Sequence, residues 1–176
     1  MTEKSNLESI NKLDIYIVSC GGVGSNYICD LLYDNGINVN CRRLAGHGCI
    51  CHLCEKMVPL KNCIYIYGDY EYAIKSQERR NLLSTNLEKI QGKIKKDDIP
   101  LDDPFLYKYQ FENFNTSKNT YMLKYPYSKQ DLIKCFKYFK LNIDENKIAI
   151  KTRETNKDFI SKYEKEINIY KNLKID

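Results

Sequence analysis

The sequence predicts a three-layer α/β domain built on a mainly parallel sheet. Three observations carry that prediction. A short buried strand runs straight into a glycine-rich turn and a helix. Strand-like and helix-like segments then alternate along the chain. Hydrophobic residues make up 43% of the 176 residues, enough for one core, and no internal repeat or second unit interrupts them, so residues 1–176 read as a single domain.

The first element is Leu13-Asp14-Ile15-Tyr16-Ile17-Val18, an apolar, β-branched run of the kind buried on both faces of a parallel sheet. It leads into Ser19-Cys20-Gly21-Gly22-Val23-Gly24-Ser25-Asn26. Tyr27, Ile28, Leu31 and Leu32 then recur at helical spacing until Asn35-Gly36 supplies a stop. This opening is P-loop-like: strand, glycine turn, helix. Ile37 to Asn40 predicts a second strand, which makes the start of the chain a βαβ unit. Gly48 to Cys51 is a weaker strand signal ending at His52, and Asn62 to Tyr67 a stronger one, halted by Gly68-Asp69.

A helix is expected from about Tyr70 to Leu87, then a charged, proline-punctuated surface loop from Gln91 to Pro104. Tyr121 to Tyr125 reads as a strand. Leu132, Ile133, Phe136 and Phe139 form one helical face, with Lys129, Lys134, Lys137 and Lys140 largely on the other. Phe159, Ile160, Tyr163, Ile167 and Tyr170 predict a last amphipathic helix.

The glycine turn carries the chemistry. Amides at a helix start attract anions, and glycines let the backbone turn sharply and approach a phosphate closely. Gly21, Gly22 and Gly24 meet that need, with Ser25 and Asn26 as side-chain donors. A tight strand-to-helix turn with no ligand accounts for the same residues. The turn has no Gly-Lys-Ser/Thr, which argues against nucleotide hydrolysis. A Rossmann-type dinucleotide site is nearly met, but Ser19 stands at its first glycine, and Arg42 and Arg43 lie where a ribose-binding acid belongs. Gly-Gly-Val-Gly-Ser also resembles the adenylating, ubiquitin-activating-like enzymes, without their acidic residue after the second strand.

Several points in order, from Asp14 to about Arg80, resemble the P-loop sulfotransferases, which move a sulfuryl group from the nucleotide PAPS to a hydroxyl or amine and release PAP. Gly21 to Tyr27 falls on the family's 5′-phosphosulfate loop, Pro-Lys-Ser-Gly-Thr-Thr-Trp. Gly24 keeps the helix-opening glycine, Ser25 a hydroxyl and Tyr27 an aromatic, while Gly22 stands at the lysine. Cys51-His52-Leu53 resembles the segment holding the family's general base, a role suited to histidine near neutral pH. The 3′-phosphate motif resembles Ile64 to Asp69 followed by Ser76, eight residues after Gly68. Gly68 and Tyr70 replace its arginine and proline, so Arg79, or else Arg80, would supply the guanidinium. Lys151-Thr152-Arg153 resembles the basic stretch over the 3′-phosphate. The resemblance implies PAPS or PAP as co-substrate, His52 as base, an unspecified acceptor and no metal. A catalytically inactive nucleotide-binding or protein-interaction module of the same fold is the alternative.

Cys41, His47, Cys51 and Cys54, with Cys49 and His52 nearby, offer thiolates and imidazoles for zinc, but only Cys51-x-x-Cys54 has the spacing of a half-site. Cys20, Cys29, Cys63 and Cys135 sit in apolar segments and are expected to pack as small hydrophobes. Asp102-Asp103 reads as solvated surface. The net charge of +5 is spread along the chain, which argues against a nucleic-acid partner. No apolar run is long enough to cross a bilayer, and the start MTEKSNLESINK is too polar for a secretory signal. An intracellular, cytoplasmic location is therefore expected.

Overall fold

Strand β1, Tyr16–Ser19, is buried along its whole length. Its neighbours explain why. Tyr16 to Ser19 pair in parallel with Cys63 to Ile66 of β2 (Cys63–Tyr67), and β2 pairs in parallel with β3 (Thr120–Lys124), giving the order β1-β2-β3. The computed structural model describes residues 13–40, 62–84, 98–116, 118–150 and 159–172.

The pleat sorts the side chains onto two faces. Ile15, Ile17, Ile64, Ile66 and Leu123 face one apolar cluster. It is shared with α1 (Ser25–Tyr33), α2 (Tyr70–Glu78), α4 (Lys129–Tyr138) and α5 (Glu164–Asn172). Tyr16, Val18, Cys63 and Tyr65 form a second cluster with Phe111 and Phe114 of α3 (Tyr107–Asn115). The described chain is thus an α/β fold with a parallel sheet and helices against both faces. All four thiols expected to pack in the core are buried.

The expected second strand at Ile37–Asn40 is reduced to one parallel bridge, Ile15 to Val39. The reason lies in Asn40. Its Oδ1 accepts from the Ile17 amide and its Nδ2 donates to the Ile17 carbonyl, both at 2.8 Å. A carboxamide thus takes the place of a paired backbone along the outer edge of β1. Asn40→Ala strands both Ile17 groups and is expected to cost about 2 kcal/mol, since each orphaned buried group costs roughly 1–3 kcal/mol. Urea denaturation checks it, and a loss under about 0.5 kcal/mol rejects the pairing.

Helix ends follow local rules. Gly36 (φ 79°) closes α1 with Gly36 and Ile37 amides donating to the Tyr33 and Leu32 carbonyls. Helix α2 stops at Glu78, well short of Leu87. Asn81 adopts φ 53°, and the amides of Asn81 and Leu82 donate to the Glu78 and Gln77 carbonyls, the same closing motif built on an asparagine. Ser128 and Asp131 form a capping box at the start of α4. Helix α5 begins at Glu164 rather than Phe159. Ser161 Oγ accepts from the Tyr163 amide while Glu164 accepts from the Ser161 amide, and Ile160 projects outward, 86% exposed.

Helix α3 has no counterpart in the sequence reading. Tyr107, Phe111 and Phe114 recur at i, i+4 and i+7 and give it a buried stripe. Asp103, read from sequence as solvated, is 2% exposed. It accepts from the amides of Lys108 (3.2 Å) and Tyr109 (2.9 Å) and from the Tyr170 hydroxyl (2.8 Å), tying the start of α3 to α5. Buried acceptors that hold amide donors outcompete hydration, so this carboxylate belongs to the fold.

Candidate functional site

Val39 lies on one side of β1 and β2 on the other, so the chain reverses direction across the sheet after β1. In open α/β sheets ligands gather outside the carboxyl ends of the strands at such a reversal. Here that place is occupied by the turn Cys20–Gly24 and by Gly68-Asp69 at the end of β2.

Gly21, Gly22 and Gly24 all have left-handed backbone, with φ of 87°, 77° and 77°. The start of α2 approaches so closely that a Cβ on Gly22 would lie 2.8 Å from the Ala73 carbonyl oxygen. A Cβ on Gly21 would lie 2.7 Å from Gln77 Oε1. Gln77 is itself buried, and its Nε2 reaches the carbonyls of Cys20 (3.3 Å) and Ala73 (3.3 Å) and the Tyr107 hydroxyl (3.1 Å). The first two glycines are therefore required by helix approach. Gly24 opens α1, and its carbonyl accepts from the Tyr127 hydroxyl at 3.1 Å.

The start of α1 differs from those of α2 and α4. Asp69 caps α2 by accepting from the Tyr72 amide (3.0 Å), and Ser128 caps α4. Helix α1 has no side-chain cap and no acidic residue in its first turn. Its leading amides, which are the positive end of the helix dipole, thus have no carboxylate of their own first turn beside them. Ser25 is buried there, Asn26 is half-buried, and the Tyr27 hydroxyl accepts from the Ala149 amide at 3.0 Å, so Tyr27 anchors the segment after α4.

Ala73, Ser76 and Gln77 form one stripe of α2, at i, i+3 and i+4, with Arg80 just beyond the helix end, and Ala73 and Gln77 of that stripe touch the turn. Ser76 is buried, and Arg80 folds back on it, donating from Nε to the Ser76 carbonyl (2.9 Å) and from Nη2 to Ser76 Oγ (3.3 Å). Arg79, the arginine preferred from sequence, points elsewhere: its guanidinium lies 5.8 Å from the centre of the Phe159 ring. Glu78 beside it accepts from Ser161 Oγ and the Lys162 amide. The basic partner of Ser76 is Arg80.

His52, the expected base, lies outside the described residues, as do Cys41, His47, Cys51 and Cys54 of the zinc reading, Arg42 and Arg43, and the 151–153 basic stretch. Among the described residues no group of His, Cys, Asp and Glu side chains is arranged to hold a metal, and no helix is long and apolar enough to cross a membrane. Burial pushes the Cys20 thiol up to about 12, so it stays protonated beside the turn and is no nucleophile there.

Sequence reading missed a second feature beside the turn. Tyr65 OH, both polar atoms of Gln110, and Asn113 Nδ2 are buried and have no hydrogen-bond partner among the described residues, while the neighbouring Tyr70 hydroxyl meets the Gly68 backbone. Each such atom costs about 1–3 kcal/mol if left so. No protein-family model matches the chain, and neither a curated protein nor a solved structure is similar to it.

Proposed function

We propose that the chain is a nucleotide-binding protein of sulfotransferase-like architecture that takes an adenosine bisphosphate, PAP or its sulfurylated form PAPS. The 5′ phosphate group would meet the amides of the Gly21–Asn26 turn, and Ser76 with Arg80 would hold the 3′-phosphate. The observation that carries this reading is the uncapped, acid-free start of α1 behind left-handed Gly24, at the carboxyl end of β1. Sulfuryl transfer from PAPS to a hydroxyl or amine, with His52 as base, is the activity the resemblance implies.

A second reading, binding without transfer, is favoured by one observation. The family's donor-gripping lysine corresponds to Gly22, where a side chain would strike the Ala73 carbonyl oxygen. A cation therefore has no route to the transferring group from that position.

Titration calorimetry with PAP tests the binding. We expect saturable heat, weakened about tenfold by Ser76→Ala, the equivalent of one lost hydrogen bond, and more strongly by Arg80→Ala, which removes a charge. Absence of heat, or an affinity indifferent to Ser76→Ala, removes the 3′-phosphate assignment. Stabilisation by NADPH or ATP in place of PAP would move the site to a Rossmann-type or adenylate ligand. Label transfer from PAPS to an acceptor then separates enzyme from binding module.

A further inference from the structure

Asn35-Gly36 is the one Asn-Gly pair in the sequence. Such a pair is open to attack of its side-chain amide by its own backbone, because glycine puts no side chain beside the attacking nitrogen. Here the pair closes α1, and hydrogen bonds converge on it. Asn35 Nδ2 donates to the Leu31 carbonyl at 2.8 Å, and Asn35 Oδ1 accepts from the Asp144 amide at 3.1 Å. The Gly36 amide donates to the Tyr33 carbonyl at 2.9 Å, and the Ile37 amide to the Leu32 carbonyl at 3.0 Å. Both reacting groups, the Asn35 carboxamide and the Gly36 nitrogen, are thus engaged elsewhere. Crowding is not what holds them apart, since Gly36 is exposed and a Cβ built on it would meet nothing within 4 Å.

The same carboxamide fastens a second piece of chain. From Asp144 to Ala149 the backbone lies along α1 as a strap. Lys147 Nζ donates to the Asp34 carbonyl at 3.5 Å, and the Ala149 amide donates to the Tyr27 hydroxyl at 3.0 Å. Asn35 holds the end of the strap farthest from the glycine turn.

We propose that Asn35 is a site of spontaneous deamidation, latched by the closed end of α1, and that its conversion frees the Asp144–Ala149 strap. When the end of α1 frays, the Gly36 nitrogen bonds to Asn35 Cγ and the Cγ–Nδ2 bond breaks. The Gly36 proton leaves with the amide nitrogen as ammonia. Water then opens the cyclic imide at either carbonyl, giving aspartate or isoaspartate, and nothing is oxidised or reduced. Both products lack the Nδ2 donor to Leu31 and place a carboxylate at the negative end of α1. Isoaspartate also inserts a carbon into the main chain, so the Gly36 and Ile37 amides lose register with the carbonyls that close the helix. The anchor of Asp144 shifts with that turn. Nothing in this chemistry requires a ligand at the glycine turn.

Incubation of the full chain in mildly alkaline buffer, with and without denaturing urea, followed by peptide mass mapping, tests the site and its latch. Conversion at Asn35 is expected to be faster in urea by about tenfold or more, because the folded chain reacts only through its opened fraction. Chain converted in urea and returned to buffer is then expected to be cut by trypsin after Lys147 about tenfold faster than chain passed briefly through urea. Asn35→Gln, whose longer side chain closes a ring far more slowly, shows no such rise when carried through the same steps. Absence of conversion in urea overturns the site, and equal rates in urea and in the fold overturn the latch. An unchanged cut after Lys147, or a rise shared by Asn35→Gln, overturns the release of the strap.

Discussion

Gly22→Lys, which writes the sulfotransferase lysine into the turn, is expected to lower Tm by roughly 10 °C and to yield no transfer activity. Two separate costs act. A side chain at φ 77° is strained by about 1–2 kcal/mol. Its Cβ would then lie 2.8 Å from the Ala73 carbonyl oxygen and 3.1 Å from Ala73 Cα, both backbone atoms of a packed helix, which adds about 1–3 kcal/mol of overpacking. The sum of about 2–5 kcal/mol corresponds to that shift at this chain length. Gly36→Ala serves as the control, because φ is 79° there but nothing lies within 4 Å of the added carbon. It should show the strain alone, about 1–2 kcal/mol. A Gly22→Lys protein that melts within 2 °C of wild type, on the order of 1 kcal/mol, contradicts the close approach of α2.

The second large effect belongs to Asp103→Ala. Its carboxylate accepts three hydrogen bonds, one from Tyr170 and two from the first turn of α3, and Tyr170 in turn accepts from the Phe105 amide at 2.7 Å. Truncation leaves the amides of Lys108 and Tyr109 and a buried phenol without an acceptor. Bonds to a charged acceptor contribute about 1.5–3 kcal/mol each and are coupled, so a loss of about 4 kcal/mol is expected by urea denaturation. Tyr170→Phe should cost less, about 2 kcal/mol, since one amide loses its partner. The double variant should fall short of the sum by about 1 kcal/mol, the mark of a shared network. A loss under about 1 kcal/mol for Asp103→Ala means the carboxylate does not organise α3.

How far the chain could be read beforehand follows from what each element depends on. Strands β1 and β2 were legible because burial on both faces leaves continuous apolar runs, and the half-buried β3 was legible from its Tyr-Met-Leu run alone. The end of α1 was legible because Gly36 needs no tertiary partner to turn. The Ile37–Asn40 segment was not, since a lone bridge and a side chain mimicking a backbone produce no distinct pattern. Helix α3 escaped because its stripe includes buried Gln110, which pattern reading scores as polar, and because Leu106, at φ 58°, opens it from an uncommon conformation. Asp103 was misread for a related reason: a lone carboxylate gives no local sign that distant Tyr170 will meet it.

The glycine turn shows the same boundary. Its position after β1 and before α1 was readable, whereas the roles of Gly21 and Gly22 in admitting α2 depend on a helix some fifty residues away. The choice between Arg79 and Arg80 turned on a contact with Phe159, which no spacing rule along α2 contains. The histidines and the cysteine-rich segment lie outside the described residues.

The carboxamide of Asn40 has a consequence for how copies of the chain meet one another. An unpaired strand margin invites a neighbouring polypeptide to add itself, the first step of sheet-mediated aggregation. At Ile17 both outward-facing backbone groups are already satisfied from within the same molecule, so a foreign strand finds nothing to bind there. One asparagine thus closes that position of the strand to added backbone.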